Sequence, residues 1–255
     1  MSTNMETKIN LLLQSQPYGV VFLSSWLQAN GYSRELQNRY IQSGWFRRIG
    51  RGALIRTGQR ITWTGALYSL QNQAQSKIHI GGRSALNLLG MAQYLEFNAQ
   101  TIELFGQRGS QLPAWFTGYN WAMKFILHKT TLLPFEVGFR EYNIDSYSLR
   151  ISGPARALLE CLFLAPRLFS LTEAYQIMEG MTALHPKEVQ SVLETCNSVK
   201  AVRLFLYMAE KARHSWARQL DLSKIDLGSG KRSIVRDGIY ISKFQITVPA
   251  VLAAL

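Results

Sequence analysis

Tyr32-Ser33-Arg34-Glu35-Leu36-Gln37-Asn38-Arg39-Tyr40-Ile41-Gln42-Ser43-Gly44-Trp45-Phe46-Arg47-Arg48-Ile49-Gly50-Arg51-Gly52-Ala53-Leu54-Ile55-Arg56 is the stretch that decides how this chain reads. Ser33 is placed to cap a helix running from Arg34 to Gln42, and Gly44 to end it. At about 100° per residue, Leu36 and Tyr40 share one face, and Arg34, Asn38 and Gln42 recur on the opposite one. A guanidinium and two amides are groups suited to base edges and phosphates in a major groove, although an ordinary solvated helix face has the same look. The residues after this helix favour the first reading. Strand formers flank Gly50 and Gly52 in a hairpin that puts Arg48 and Arg51 near its tip, within reach of phosphates or a minor groove. A polar-faced helix followed by a basic hairpin is what a winged helix-turn-helix needs to sit on double-stranded DNA.

The residues before this stretch supply the remaining parts. Ile9, Leu12 and Leu13 have helical spacing within Met5 to Gln14, and Pro17 follows. Val20 to Leu23 is a short apolar run. Ser25 and Gln28 have the spacing of a capping box that would start a second helix, which Asn30-Gly31 would stop. Charge is concentrated in the same region. The first 60 residues hold eight basic side chains (Lys8, Arg34, Arg39, Arg47, Arg48, Arg51, Arg56, Arg60) against Glu6 and Glu35, half of the whole chain's net +12. Together with a pI near 9.9, this points to a polyanionic partner rather than to solubility alone.

Beyond the hairpin, helices are predicted at Thr64–Gln73 and Arg83–Leu89, joined by Ile78-His79-Ile80-Gly81-Gly82 as a connector. Thr101–Phe105, Lys124–His128 and Ser148–Ile151 read as strands, with Trp115, Tyr119 and Trp121 in a loop-rich stretch between them. Pro154–Ala165, Leu171–Glu179, Pro186–Asn197 and Lys200–Ala212 read as helices. The tail returns to short strands at Ser233–Val235, Tyr240–Ile241 and Gln245–Val248. The expected class is mixed α/β (α+β). Residues 1–93 form a winged helix-turn-helix with connecting helices, and 94–255 a larger mixed α/β domain. The polar start lacks a signal-peptide core and no apolar run is long enough to span a membrane, so a cytoplasmic protein is expected. Cys161 and Cys196 lie in apolar helical contexts and read as buried thiols.

No catalytic constellation stands out. Asp226-Leu227-Gly228-Ser229-Gly230-Lys231-Arg232-Ser233 has a phosphate-loop look, but Ile225 stands where the first glycine of such a loop belongs, so a turn leading into a strand is the better reading. His79, His128, His185 and His214 show no metal-ligand spacing. Glu160 and Glu194 would matter only if the fold paired them. Neither a nucleophile elbow nor the acidic cluster of a metal-dependent nuclease is present. No metal, cofactor or enzymatic activity is therefore expected. The rival readings are a regulator that binds a small ligand near Trp115–Trp121, and a nuclease steered by the N-terminal unit.

Tyr32-Ser33-Arg34, Leu36, Tyr40 and Ser43-Gly44-Trp45-Phe46-Arg47-Arg48-Ile49-Gly50-Arg51-Gly52 resemble the winged helix of AbiEi-type antitoxins. Gly82-Arg83-Ser84-Ala85-Leu86-Asn87-Leu88-Leu89-Gly90 is similar to that family's linking motif, and Ile151–Glu160 to a segment of its C-terminal domain. The tail from Asp226 to Pro249 is the most specific part of the likeness, and Ala53-Leu54 departs from it where an aromatic residue is expected. The resemblance implies a type IV toxin–antitoxin partner. Such a protein represses its own operon at inverted repeats, counteracts a nucleotidyltransferase-like toxin, and serves in abortive phage defence. Arg34, Asn38 and Gln42 would then face the groove, with Arg39, Arg47, Arg48 and Arg51 gripping phosphates. Arg156, Lys231 and Arg232 would be candidates for a second DNA contact.

Overall fold

A computed structural model describes residues 7–91 and 101–255. The expected domain boundary at 93/94 and the first two residues of the Met5–Gln14 helix lie outside the described residues. The chain opens with α1 (Lys8–Gln14), β1 (Phe22–Leu23), α2 (Ser24–Ala29) and α3 (Arg34–Gln42). The hairpin β2 (Phe46–Gly50) and β3 (Ala53–Arg56) and the helix α4 (Trp63–Asn72) follow. β1, β3 and β2 form a three-stranded antiparallel sheet with β3 in the middle, Phe22 opposite Leu54 and Leu23 opposite Ala53. Every residue of β3 is therefore buried, Ala53 and Leu54 included. Ile9, Leu12, Val20, Phe22, Leu27, Phe46 and Leu54 make the core, with Phe22 and Phe46 edge-to-face at 5.0 Å. Each such side chain contributes roughly 1.5–3 kcal/mol on burial.

After α4 come β4 (His79–Ile80), α5 (Gly82–Leu88), β5 (Thr101–Gly106), α6 (Ala114–Thr117), β6 (Lys124–Lys129), β7 (Phe139–Ile144) and β8 (Tyr147–Ser152). The helices α7 (Pro154–Leu164), α8 (Leu171–Gly180), α9 (Pro186–Glu194) and α10 (Val199–Lys211) precede β9 (Arg232–Ser233), β10 (Ile239–Ile241), β11 (Ile246–Val248) and α11 (Ala250–Ala254). The class is mixed α/β, as expected. The stretch expected to be a connector contains β4, the central strand of a five-stranded sheet ordered β6-β5-β4-β8-β7. β4 runs antiparallel to β5 and parallel to β8, and β5 runs parallel to β6. A smaller sheet, β10-β11-β9, closes the chain.

Internal contacts divide the chain into two compact units. The first is Met1–Ile78 with Ser110–Met123 and Glu141–Arg150; the second is His79–Gly109 with Lys124–Arg140 and Ile151–Leu255. In the second unit α7 and α10 are buried nearly all round, which marks them as core helices rather than amphipathic surface ones. Pro154 starts α7 at the position where a missing N–H costs nothing, and Ser198 caps α10 by accepting from the Ala201 amide at 3.3 Å.

One polar group sits in the middle of this core. Glu160, 1% exposed, accepts hydrogen bonds from His79 Nε2 (3.0 Å), Ser152 Oγ (2.8 and 3.0 Å), Arg156 Nε (3.0 Å) and the Gly82 amide (2.8 Å). Burial alone would push its carboxyl up. The bond and charge of His79, the Arg156 guanidinium and the Gly82 amide outweigh that and hold it below the usual carboxylate range. Gly81 makes this approach feasible, since a Cβ there would stand 2.3 Å from Glu160 Oε2. Glu194, the candidate partner for Glu160 in the sequence, does not meet it. It accepts instead from Gln190 on its own helix.

Replacing Glu160 with Ala should cost about 3–5 kcal/mol, because Arg156 is left as an uncompensated buried charge. Since its folded pKa is depressed, Glu160 contributes stability above the usual carboxylate range that is lost as pH falls through the lowered value. Urea melts of both proteins across pH 3–7 check both statements: the variant should lack that part of the acid dependence. Burial also raises both thiols, Cys161 well above its ordinary range and Cys196 to about 11. A thiol reagent at neutral pH should leave both unmodified in the folded protein and react with both in denaturant.

Candidate nucleic-acid interface

The interface begins with a turn held from inside. Ser33 Oγ accepts from the Leu36 amide at 3.3 Å and so caps α3, as its position suggests. Ser25 does not cap α2. That helix starts one residue earlier, and its first amide, on Ser24, donates to the Gly52 carbonyl of the hairpin at 2.9 Å. Gln37 is the residue that reading the outer face overlooks. It is 4% exposed, and its Nε2 donates to the Ser24 carbonyl at 3.2 Å and the Tyr32 carbonyl at 2.8 Å. An amide on the inner face thereby ties α3 to α2 and to the turn between them. Leu36, Tyr40 and Ile41 pack on the core beside it. The polar positions Arg34, Asn38, Arg39 and Gln42 are all exposed.

The hairpin completes the surface. Phe46 points into the core at 2% exposure, while Arg47, Arg48 and the tip residue Arg51 are exposed. Gly50 sits against Trp115, where an added Cβ would lie 2.6 Å from the Trp115 Cβ. Glycine is required there by that close approach, independently of any turn. Arg48 Nη2 donates to Asn38 Oδ1 at 2.6 Å, joining the hairpin to α3. A cleft of about 360 Å³ lies between them, lined by Arg34, Asn38, Arg48 and Arg51 among others. Among the described residues, Arg34, Arg39, Arg47, Arg48 and Arg51 form no salt bridge. Glu35, exposed beside Arg34, offsets part of this charge, but five guanidiniums outweigh one carboxylate and the surface keeps a positive potential.

Two members of the basic N-terminal set have internal duties. Arg56 is 7% exposed; its Nη2 donates to the Leu13 carbonyl and, at 2.6 Å, to the Gln16 carbonyl. Its guanidinium lies 4.9 Å from the Tyr18 ring centre and 5.5 Å from that of Phe22. Lys8 donates to the Gly31 carbonyl at 2.6 Å.

Of the three candidates for a second contact, Arg156 is excluded by burial. It is 4% exposed, and Nη1 donates to the Pro134 and Val137 carbonyls at 2.7 and 2.6 Å. Lys231 and Arg232 are exposed, with Lys231 5.0 Å from the centre of the Tyr240 ring. The glycine-containing loop before them faces the other way from a phosphate cradle. The carbonyls of Leu227, Gly228 and Gly230 accept from the buried Arg203 guanidinium at 2.7–3.2 Å. A loop that turns its acceptors inward onto a cation is a structural clamp, in keeping with the sequence reading. Trp115 and Phe116 are buried, and Trp121 Nε1 donates to the Phe116 carbonyl at 2.7 Å, so these aromatics serve as core. No group of three or more His, Cys, Asp or Glu side chains among the described residues is arranged to hold a metal ion. No helix among them is long and apolar enough to cross a membrane.

Two family models match the chain. The one described as "Transcriptional regulator, AbiEi antitoxin N-terminal domain" covers residues 5–97. The one described as "Transcriptional regulator, AbiEi antitoxin, Type IV TA system" covers residues 99–249. Among solved structures, the crystal structure of the RV2827C protein from Mycobacterium tuberculosis is similar in fold. The TM-score is 0.55 at 15% identity, over 93% of this chain and 88% of that one. No curated protein matches the chain significantly.

The division between internal and outward arginines is open to measurement. Arg56→Ala should lower unfolding stability by about 2–3 kcal/mol, through loss of charged hydrogen bonds to two carbonyls. Arg39→Ala should change it by less than about 0.5 kcal/mol. Denaturant melts of the two variants beside the parent protein decide this.

Proposed function

Because this chain belongs to the AbiEi antitoxin family of transcriptional regulators from type IV toxin–antitoxin systems, we propose that it represses its own operon by placing α3 in the major groove of an inverted repeat. The β2–β3 hairpin acts as the wing of a winged helix. Arg34, Asn38 and Gln42 face base edges, and Arg39, Arg47, Arg48 and Arg51 grip phosphates on either side. The observation that carries this reading is the cleft where Arg34, Arg48 and Arg51 converge, none of them in a salt bridge among the described residues, between a capped helix and a hairpin bonded to it. Phosphate contacts would fix register, and the α3 face would supply the sequence information.

The second unit counteracts a nucleotidyltransferase-like toxin, and the pair acts in abortive phage defence within the cytoplasm. The protein itself carries out no catalysis. Its buried polar clusters centre on Glu160 and Arg203 and serve the fold. Lys231 and Arg232 are kept as candidates for a second contact with the same DNA.

A gel shift on DNA from upstream of the gene tests the repressor reading. If about six phosphates are neutralised, affinity should fall on the order of a thousandfold between 50 and 200 mM salt. The combined Arg34→Ala, Arg48→Ala and Arg51→Ala variant should lose tight binding while melting at the parent temperature. Binding indifferent to salt, or unchanged in that variant, would mean that this surface is not the operator reader.

A further inference from the structure

The contact between Arg48 and Asn38 bears on which base α3 selects, an inference that rests on the DNA-binding reading above. A guanidinium carries donors and no acceptor, so the amide atom 2.6 Å from Arg48 Nη2 is the oxygen of Asn38. That fixes the way the amide points. Its oxygen is turned to the hairpin with one of its two lone pairs taken by a charge-assisted hydrogen bond, and the Nδ2 hydrogens are left for a ligand. Asparagine ordinarily reads adenine by using both ends at once, accepting from N6–H and donating to N7. With the guanidinium held beside the oxygen, an adenine N6–H must share that oxygen with another donor group, so that pairing is weakened on its acceptor half. What remains matches an edge made of acceptors, and guanine presents two side by side, N7 and O6.

We propose that the Arg48–Asn38 hydrogen bond sets base specificity, biasing Asn38 to donate so that it selects guanine in preference to adenine. The neighbouring amides do not duplicate this role. Gln37 is turned into the protein, with Nε2 on two backbone carbonyls. Gln42 lies one turn further along α3 and outside the cleft that Asn38 lines. Arg34 and Arg51, which line the same cleft, carry donors only, so the arginines beside Asn38 in that cleft offer donors as well. Arg48 is thus a positioning residue for Asn38 as well as a phosphate ligand.

The test is selection of binding sites from a randomised duplex library by the intact protein, Asn38→Ala and Arg48→Ala. It is run near 50 mM salt, where losing one charge leaves binding measurable. Asn38→Ala should flatten a guanine preference of about tenfold at one position of each half-site, which locates the base that Asn38 reads. Arg48→Ala frees the oxygen, and the same position should change to adenine while the others keep their preference. Retention of guanine there by Arg48→Ala, adenine there in the intact protein, or no position sensitive to Asn38→Ala overturns the inference and leaves DNA binding standing. If the intact protein selects no duplex at all, the DNA-binding reading fails and the inference falls with it.

Discussion

A carboxylate removed from water has to be satisfied by the protein around it, and in this chain that demand falls on one residue. Glu160 collects donors from β4, β8, α7 and the start of α5, so four elements far apart in sequence meet at two oxygen atoms. The two-residue strand β4 would have little to hold it by backbone pairing alone. His79 gives it a second anchorage, with its ring 4.8 Å from Phe139 and its Nε2 on Glu160. Arg156 extends the arrangement outward to the loop carbonyls of Pro134 and Val137 and lies 4.1 Å from the centre of the Phe139 ring. Such clusters specify an arrangement more than they stabilise it, because every misfit leaves a charge stranded. Arg203 repeats the principle at the other end of the chain, with backbone carbonyls in place of a carboxylate.

Arginine has two opposite uses in this molecule. Arg56, Arg156 and Arg203 are buried, and their flat, multiply donating heads collect carbonyl oxygens that helices and turns leave unpaired. Arg34, Arg39, Arg47, Arg48 and Arg51 stand in solvent on one basic surface. Composition sees only a sum of charges. The net +6 of the first 60 residues overstates what the surface offers a polyanion, because Arg56 is committed internally and Lys8 is tied to a carbonyl.

Local patterns make much of the fold legible. The α3 span, its Ser33 cap and the turn at Gly44 follow from short-range rules, and α7 to α10 are recognisable from their apolar runs and prolines. What escapes such rules depends on contacts distant in sequence. The spacing of Ser25 and Gln28 suggests a capping box, yet the free amide at that helix start finds a hairpin carbonyl 28 positions away. β7, with the alternating polar sequence Phe139-Arg140-Glu141-Tyr142-Asn143-Ile144, carries no strong strand signal and owes its state to its neighbour β8. Arg156 looks available in the sequence because a charged residue in a helix is usually exposed. Only the fold shows that Glu160, one turn along, and two loop carbonyls take it inside. At the candidate interface the outward residues are readable from periodicity, whereas Gln37 is hidden because an inward amide looks like any other polar residue in a helix.

The first unit is assembled from three stretches of the chain, and this orders events during synthesis. Residues 1–78 leave the ribosome before the segments 110–123 and 141–150 that belong to the same unit. Trp115, which occupies the space beside Gly50 under the hairpin, is absent until then. At roughly 5–20 residues per second, the ribosome needs about 4–14 s to travel from residue 78 to residue 150. During that interval the basic hairpin exists without its full support. The nascent chain acquires a finished N-terminal unit only after more than half of it has been translated, so a ribosome that stalls early releases the hairpin without the Trp115 packing against Gly50.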